Sequence, residues 1–250
     1  TFLKDFQWPH INCKINVVNN IRDLGAHINV SVHHIGTTLT QRMAESLPKI
    51  RRLAWLPLEI AVKLSLMGSA IFSGAFYGCE ATHASESYLH TMTTAIAQAM
   101  HGHAPRRSNS SLFNLFEVEV DPWAVICIRR VMMLRRMLIK NEWLADAVSD
   151  AIERYQQHNF PGTCVDEDMP HNISCAPPPG SALRADWKKK HHAWGPIGFL
   201  CYSLSHYGLA ISSKLRLHQN NEVTHCLYNM PYQFVKPLVT QMIRRGRQVT

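Results

Sequence analysis

The chain has few carboxylates, no long apolar run, no paired cysteine motif and no glycine-rich phosphate loop, and each lack closes off a class of function. With 18 Asp and Glu against 26 Lys and Arg, there is little material for two-metal phosphoryl or nucleotidyl transfer, which needs carboxylates converging on paired magnesium ions. The one acidic cluster, Asp166-Glu167-Asp168, lies in an irregular proline-rich stretch. Metal-holding carboxylates sit best on rigid elements, so this cluster reads as a solvated loop. The longest apolar run, LSLMGSAIFSGAFYGC from Leu64 to Cys79, is broken by Gly68, Gly74 and several serines and falls short of the roughly 18 residues that span a bilayer. The opening residues lack a basic segment leading into an apolar one, so no secretory signal is expected. The first residue is Thr rather than Met, and the expectation is a chain cut from something longer.

The other scarcities act on nucleophiles and metals. Seven cysteines, an odd number without a CxxC pair, suit an intracellular, reduced protein whose thiols are packing residues. Fifteen histidines include the close pairs His33-His34, His101 with His103, and His191-His192. None has the matched four-ligand spacing of a zinc site, and neither does Cys164, His171 and Cys175. Ser203 and Ser205 beside His206 have no GxSxG elbow around them, so a serine hydrolase is the weakest of the readings. GAFYG lacks the Lys-Ser/Thr that completes a phosphate loop.

What the chain does have is positive charge, unevenly placed. Residues 1–150 hold 15 basic and 12 acidic residues, 151–183 hold 1 and 4, and 184–250 hold 10 and 2. A basic C-terminal end favours a polyanionic partner.

The residue pattern predicts a predominantly helical α+β chain. INCKINVV and IRDLGAHINVSV read as two strands of an N-terminal hairpin, with Asn19-Asn20 as the turn and Gly25 as a bend or a point of close backbone approach. Leu39, Met43, Leu47, Ile50 and Leu53 then repeat at helical spacing, and Pro48 should interrupt and kink that helix. Further helices are expected from about Pro57 to Phe76, from a cap at Ser85 or Ser87 to Gly102, after the capping pair Asp121-Pro122, and over WLADAVSDAIERY. Residues 158–183, rich in proline and without a period, read as a linker. Beyond it, Pro196 to Tyr207 reads as a helix ended by Gly208, LAISSKLRLHQ as one short strand, and PYQFVKPLVTQMIRRGR as a last helix, together a small α/β module over 184–250.

Three basic clusters are the candidate binding residues. Arg129, Arg130, Arg135 and Arg136 spread over a band of about 120° on the Asp121-capped helix, with Val131, Leu134 and Leu138 opposite. Lys188-Lys189-Lys190 is flanked by Trp187 and Trp194, which suits base stacking or core packing. Arg244, Arg245 and Arg247 close the last helix. Each cluster reads either as a solvated face or as a track for a phosphate backbone.

The ordered series IRDLGAHINV, TTLTQRMAE, RRLAWLPL and GAFYGCE, followed by Arg106 to Ser108, DP…RRVMMLRRM, GPIGFLCYSLSHYG and RRGR, resembles the region just downstream of the catalytic palm in non-LTR retrotransposon reverse transcriptases. Pro48 and the single lysine of IAVKLSLMG depart from that pattern, and the Tyr/Phe-x-Asp-Asp box is absent. The resemblance implies the end of a palm-like sheet over 1–36, a helical thumb or connection domain over 37–157, the linker 158–183 and the basic module 184–250. It implies a primer-grip-like role for Leu24 and Gly25, with Arg22 as a backbone contact. It further implies an RNA–DNA primer–template and an upstream polymerase palm as partners, no catalytic residue or cofactor in this chain, magnesium in the missing palm site, and a cytoplasmic or nuclear location without membrane association. A ribonuclease H domain can follow in such polyproteins. The competing reading is a helical protein-interaction domain whose basic faces are ordinary surface.

Overall fold

Apolar stripes at helical spacing and well-marked helix starts govern the architecture. The computed structural model describes residues 20–23, 26–29, 37–101, 113, 120–159, 195–219 and 222–249. They form a mostly helical protein with a small three-stranded antiparallel sheet.

Near the N-terminus, β1 (Asn20–Asp23) and β2 (Ala26–Asn29) pair antiparallel with Asp23 opposite Ala26. The stretch expected to be one bent strand therefore holds two strands paired with each other. Asn20 lies within β1, not in a turn. Leu24 and Gly25 fall outside the described residues, as does the expected strand 11–18.

Helix α1 (Thr37–Trp55) runs as one element through Pro48. Pro48 lies on its exposed side, while Leu39, Met43, Ile50 and Leu53 are buried; the missing N–H costs least where carbonyls can meet water. The next helix begins at Ile60 rather than at Pro57, as α2 (Ile60–Leu66). It passes through one wide turn, Met67–Ile71, in which the N–H of Phe72 reaches back to the Met67 carbonyl, and ends as α3 (Phe72–Ala75). Helix α4 (Glu86–His101) follows Ser85, one of the two expected caps, and buries Leu89, Met92, Ile96 and Met100. With α1 and the 60–75 helix it encloses a first core around Met43, Ile50, Phe72, Phe76 and Met92.

Helix α5 (Pro122–Lys140) starts as predicted. Asp121 accepts a hydrogen bond from the Trp123 N–H at 3.0 Å, with Pro122 in the first turn. It is buried on more than one side and contributes to both cores. Ile126 packs into the first, and Cys127, Val131, Leu134 and Leu138 into the second. That second core also takes Val148 and Ile152 of α6 (Leu144–Asn159), Leu200 and Leu204 of α7 (Gly195–Ser205), and Val235, Val239 and Ile243 of α8 (Tyr232–Val249). Residues from both sides of the predicted linker thus share one core; residues 160–194 lie outside the described residues.

LAISSKLRLHQ forms two strands instead of one. β3 (Leu209–Ile211) and β4 (Arg216–Gln219) are joined by a tight turn in which Leu215 takes φ 56° and donates to the Ser212 carbonyl at 2.9 Å. β5 (Glu222–Cys226), which the sequence pattern did not single out, completes an antiparallel meander in the order β3-β4-β5. The Gln219 side chain donates to the Met242 carbonyl at 2.9 Å and ties this sheet to α8.

Cys79, Cys127 and Cys201 have thiols pushed up to about 12, in each case chiefly by burial. They are inert packing groups, as the scattered cysteines suggest.

Two predictions follow from close packing. A Cβ added to Gly246 would lie 2.1 Å from the Tyr207 carbonyl oxygen. Gly246→Ala, which on helix propensity alone would stabilise α8, should instead cost about 1–3 kcal/mol in urea unfolding. His218 is fully buried, and among the described residues neither ring nitrogen has a hydrogen-bond partner. Burial first, then Arg216, holds its pKa below the usual 6.5. The unfolded chain therefore binds the proton more readily, and stability falls as pH drops below about 6.5. His218→Phe should show less of this decline between about pH 7 and 5, measured by thermal unfolding across that range.

Candidate nucleic-acid interface

The four arginines of α5 do not form a single surface track. Arg130 is buried, and its guanidinium donates in four directions. Its Nε reaches the Cys79 carbonyl at 3.0 Å, one Nη the Thr82 carbonyl at 2.8 Å, and the other the Phe199 carbonyl at 2.8 Å and the Ser203 hydroxyl. Arg135 is also buried, and its Nε donates to the Met230 carbonyl at 2.8 Å, just ahead of α8. Both are internal fasteners and are corrected from the expected phosphate contacts. A helix packed on more than one side swallows residues that a two-sided helix would expose.

Arg129 is half-buried at a cleft, where one Nη donates to the Phe72 carbonyl at 3.1 Å. Arg136 is exposed, and so is Lys140, which the sequence reading passed over. At 100° per residue, Arg136 and Lys140 fall within about 20° of Arg129, roughly 10 and 16 Å further along the axis. The surviving cations of α5 are therefore a stripe at i, i+7 and i+11. That period is legible in the sequence once the pairs are no longer taken as units.

On α8, Arg244 and Arg245 are exposed. Arg247 is not a surface group. It pairs with Asp121, donates to the Phe113 carbonyl at 2.9 Å and lies over the Tyr207 ring with 5.6 Å to its centroid. Tyr207 donates its hydroxyl to the same carboxylate at 2.9 Å. Asp121 thus caps α5 and clamps the end of α8 at once, and Arg247 is corrected from a candidate nucleic-acid contact to a clamp. Lys188, Lys189 and Lys190, with Trp187 and Trp194, lie outside the described residues. Arg22 is on β1, and nothing further of its side chain is described.

Ser203 donates its hydroxyl proton to the Phe199 carbonyl at 2.9 Å and accepts from Arg130, while His206 lies against Trp123 with ring centroids 4.2 Å apart and the rings tilted by 50°. Neither contact pairs the two side chains with each other, and the hydrolase reading gains no support. Among the described residues no group of three His, Cys, Asp or Glu side chains is placed to hold a metal ion. Among them, too, no helix is long and apolar enough to cross a membrane.

No family model matches the chain, and neither do any curated proteins or solved structures.

The two kinds of arginine separate in one experiment. Arg130→Met leaves several buried acceptors without a donor and should cost at least about 3 kcal/mol. Arg136→Ala should stay within about 0.5 kcal/mol of the parent chain. Urea unfolding of both variants is the check.

Proposed function

We propose that the chain holds a primer–template duplex without acting on it, as the part of a reverse-transcriptase-like polymerase that follows the palm. In this reading β1 and β2 are the end of the palm-like sheet, α1 to α6 are the thumb or connection, and the bond-making carboxylates with their magnesium ions belong elsewhere. The observation that carries it is the stripe Arg129, Arg136 and Lys140 on one side of α5. A row of cations at regular rise along a rigid helix suits a repeating phosphate backbone and carries no sequence preference. Arg244 and Arg245 on α8 add two exposed positive charges, and Lys188, Lys189 and Lys190 join the proposal on the sequence alone. The ordered resemblance supplies the identity of the duplex, an RNA–DNA hybrid, and the location, cytoplasmic or nuclear.

Neutralising about four phosphates predicts a fall in affinity of roughly a hundredfold between about 50 and 200 mM salt. Fluorescence anisotropy with a labelled hybrid measures it. The double variant Arg136→Ala/Lys140→Ala should weaken binding to unrelated sequences equally and reduce the salt slope by about 2. A salt-independent affinity, or a double variant that binds like the parent, overturns the reading.

A second reading has its own observation. Trp55 is 88% exposed, and Leu56, Leu58, Ile60, Val62 and Leu66 continue an exposed apolar series from the end of α1 along α2. A run of exposed apolar side chains of this kind suits protein contact. If the chain shows no hybrid binding, a helical interaction domain using this series is the better account.

A further inference from the structure

The outer side of α8 carries an aromatic ring that the fold leaves mostly uncovered. Val235, Val239, Met242 and Ile243 are buried in the second core, whereas Phe234 is 55% exposed. At 100° per residue, Phe234, Gln241 and Arg245 fall within about 40° of one another and about 120° from the centre of that buried face. Gln241 and Arg245 are exposed as well, one turn apart, roughly 6 Å along the axis. An aromatic ring, an amide and a guanidinium thus follow one line down the helix.

Phe234 also lines an open cleft of about 500 Å³, within the range of small-ligand sites. Met230, Pro237 and Leu238 add apolar surface to it, and Asn229 and Gln241 bring amides, each both donor and acceptor. The wall that follows β5 is held at both ends. The Leu227 N–H donates to the Leu215 carbonyl at 2.8 Å, and the Met230 carbonyl accepts from Arg135 at 2.8 Å. The Phe234 N–H donates to the Pro231 carbonyl at 3.0 Å, which sets the entry to α8. A surface fixed in this way loses little freedom when it binds. An aromatic face with amides beside it suits a flat heterocycle that stacks and hydrogen-bonds at its edge. The guanidinium one turn further on suits a phosphate attached to that ring. An apolar side chain from a protein partner would use Phe234 but neither the amides nor Arg245.

We propose that this cleft receives an unpaired base of a single-stranded nucleic acid. The base lies against Phe234 with its edge toward Asn229 and Gln241, and the backbone runs past Arg245. Every base has a π-face, so the site tolerates any sequence. A fully paired duplex keeps its bases within the stack and has none to offer. The proposal rests on the nucleic-acid reading above for the class of partner, and it uses none of the α5 cations.

Fluorescence anisotropy of the whole chain tests it with three labelled ligands: a single-stranded oligonucleotide, an abasic strand of the same length, and a blunt RNA–DNA hybrid. The intact strand should bind about fivefold or more tighter than the abasic one, whose backbone charge is the same. Phe234→Ala should remove that preference, weakening the intact strand about fivefold or more. It should leave the abasic strand, the blunt hybrid and the salt slope as they are, since no charge is lost. Phe234→Trp should keep the preference, because an indole also stacks. Arg245→Ala should weaken both strands alike. The Phe234 ring is exposed, so its loss should leave the thermal unfolding midpoint near that of the parent, and the abasic comparison needs no variant at all. Equal affinity for intact and abasic strands, or a Phe234→Ala chain that keeps the preference, overturns the proposal even where the hybrid binds. Preference for bases without hybrid binding overturns the duplex reading instead. A proline-rich peptide bound saturably through Phe234, with no preference for bases, would give the cleft to a protein partner and also overturn the proposal.

Discussion

One buried guanidinium joins the two halves of the structure. Arg130 projects from the helix common to both cores and donates on one side to Cys79 and Thr82 in the turn after α3, on the other to Phe199 and Ser203 of α7. Isolated in an apolar interior, a guanidinium would be costly, and burial does draw its pKa down. The acceptors around it convert that cost into a geometric requirement: four groups from two distant stretches of chain must arrive together. The turn it grips depends on Gly78, whose φ of 83° suits glycine. Arg42 holds the same turn through the Tyr77 carbonyl at 2.7 Å. The segment GAFYGCE is therefore a backbone platform for two arginines rather than a site in itself.

A second clamp fixes the far end of the same helix. Asp121 caps α5, accepts from Tyr207 and pairs with Arg247, so the start of α5, the end of α7 and the end of α8 meet at one carboxylate. Gly246 permits that approach because only a hydrogen fits against the Tyr207 backbone. Three of the 26 basic side chains that the composition displays are taken up inside the fold. Arg130, Arg135 and Arg247 build the fold, which leaves a narrower set of cations facing outward. Net charge therefore overstates the surface available to a polyanion, and the position of each arginine on its helix decides its use.

Local signals in the sequence reached as far as local physics does. The apolar period of α1, the helices over α4 and α6 and the Asp121-Pro122 cap each involve neighbours within a turn or two, and the structure places them as predicted. Gly208, with φ 64°, follows the end of α7 as expected. Longer-range outcomes were hidden. Nothing near Arg130 or Arg135 in sequence announces carbonyl partners 48 to 95 residues away. The β3-β4 turn escaped notice because it relies on Leu215, a residue that seldom adopts a positive φ. Pro48 was overrated as a breaker because its consequence depends on which side of α1 faces solvent.

These constraints make Arg130 the point at which the account is most exposed. Native-state hydrogen exchange, read by mass spectrometry on the parent chain and on Arg130→Met, examines it directly. The account predicts that the variant loses protection in both cores together, in α1 and α4 as well as in α7 and β3, because one side chain serves both. Loosening confined to one core, or protection unchanged in either, would contradict it.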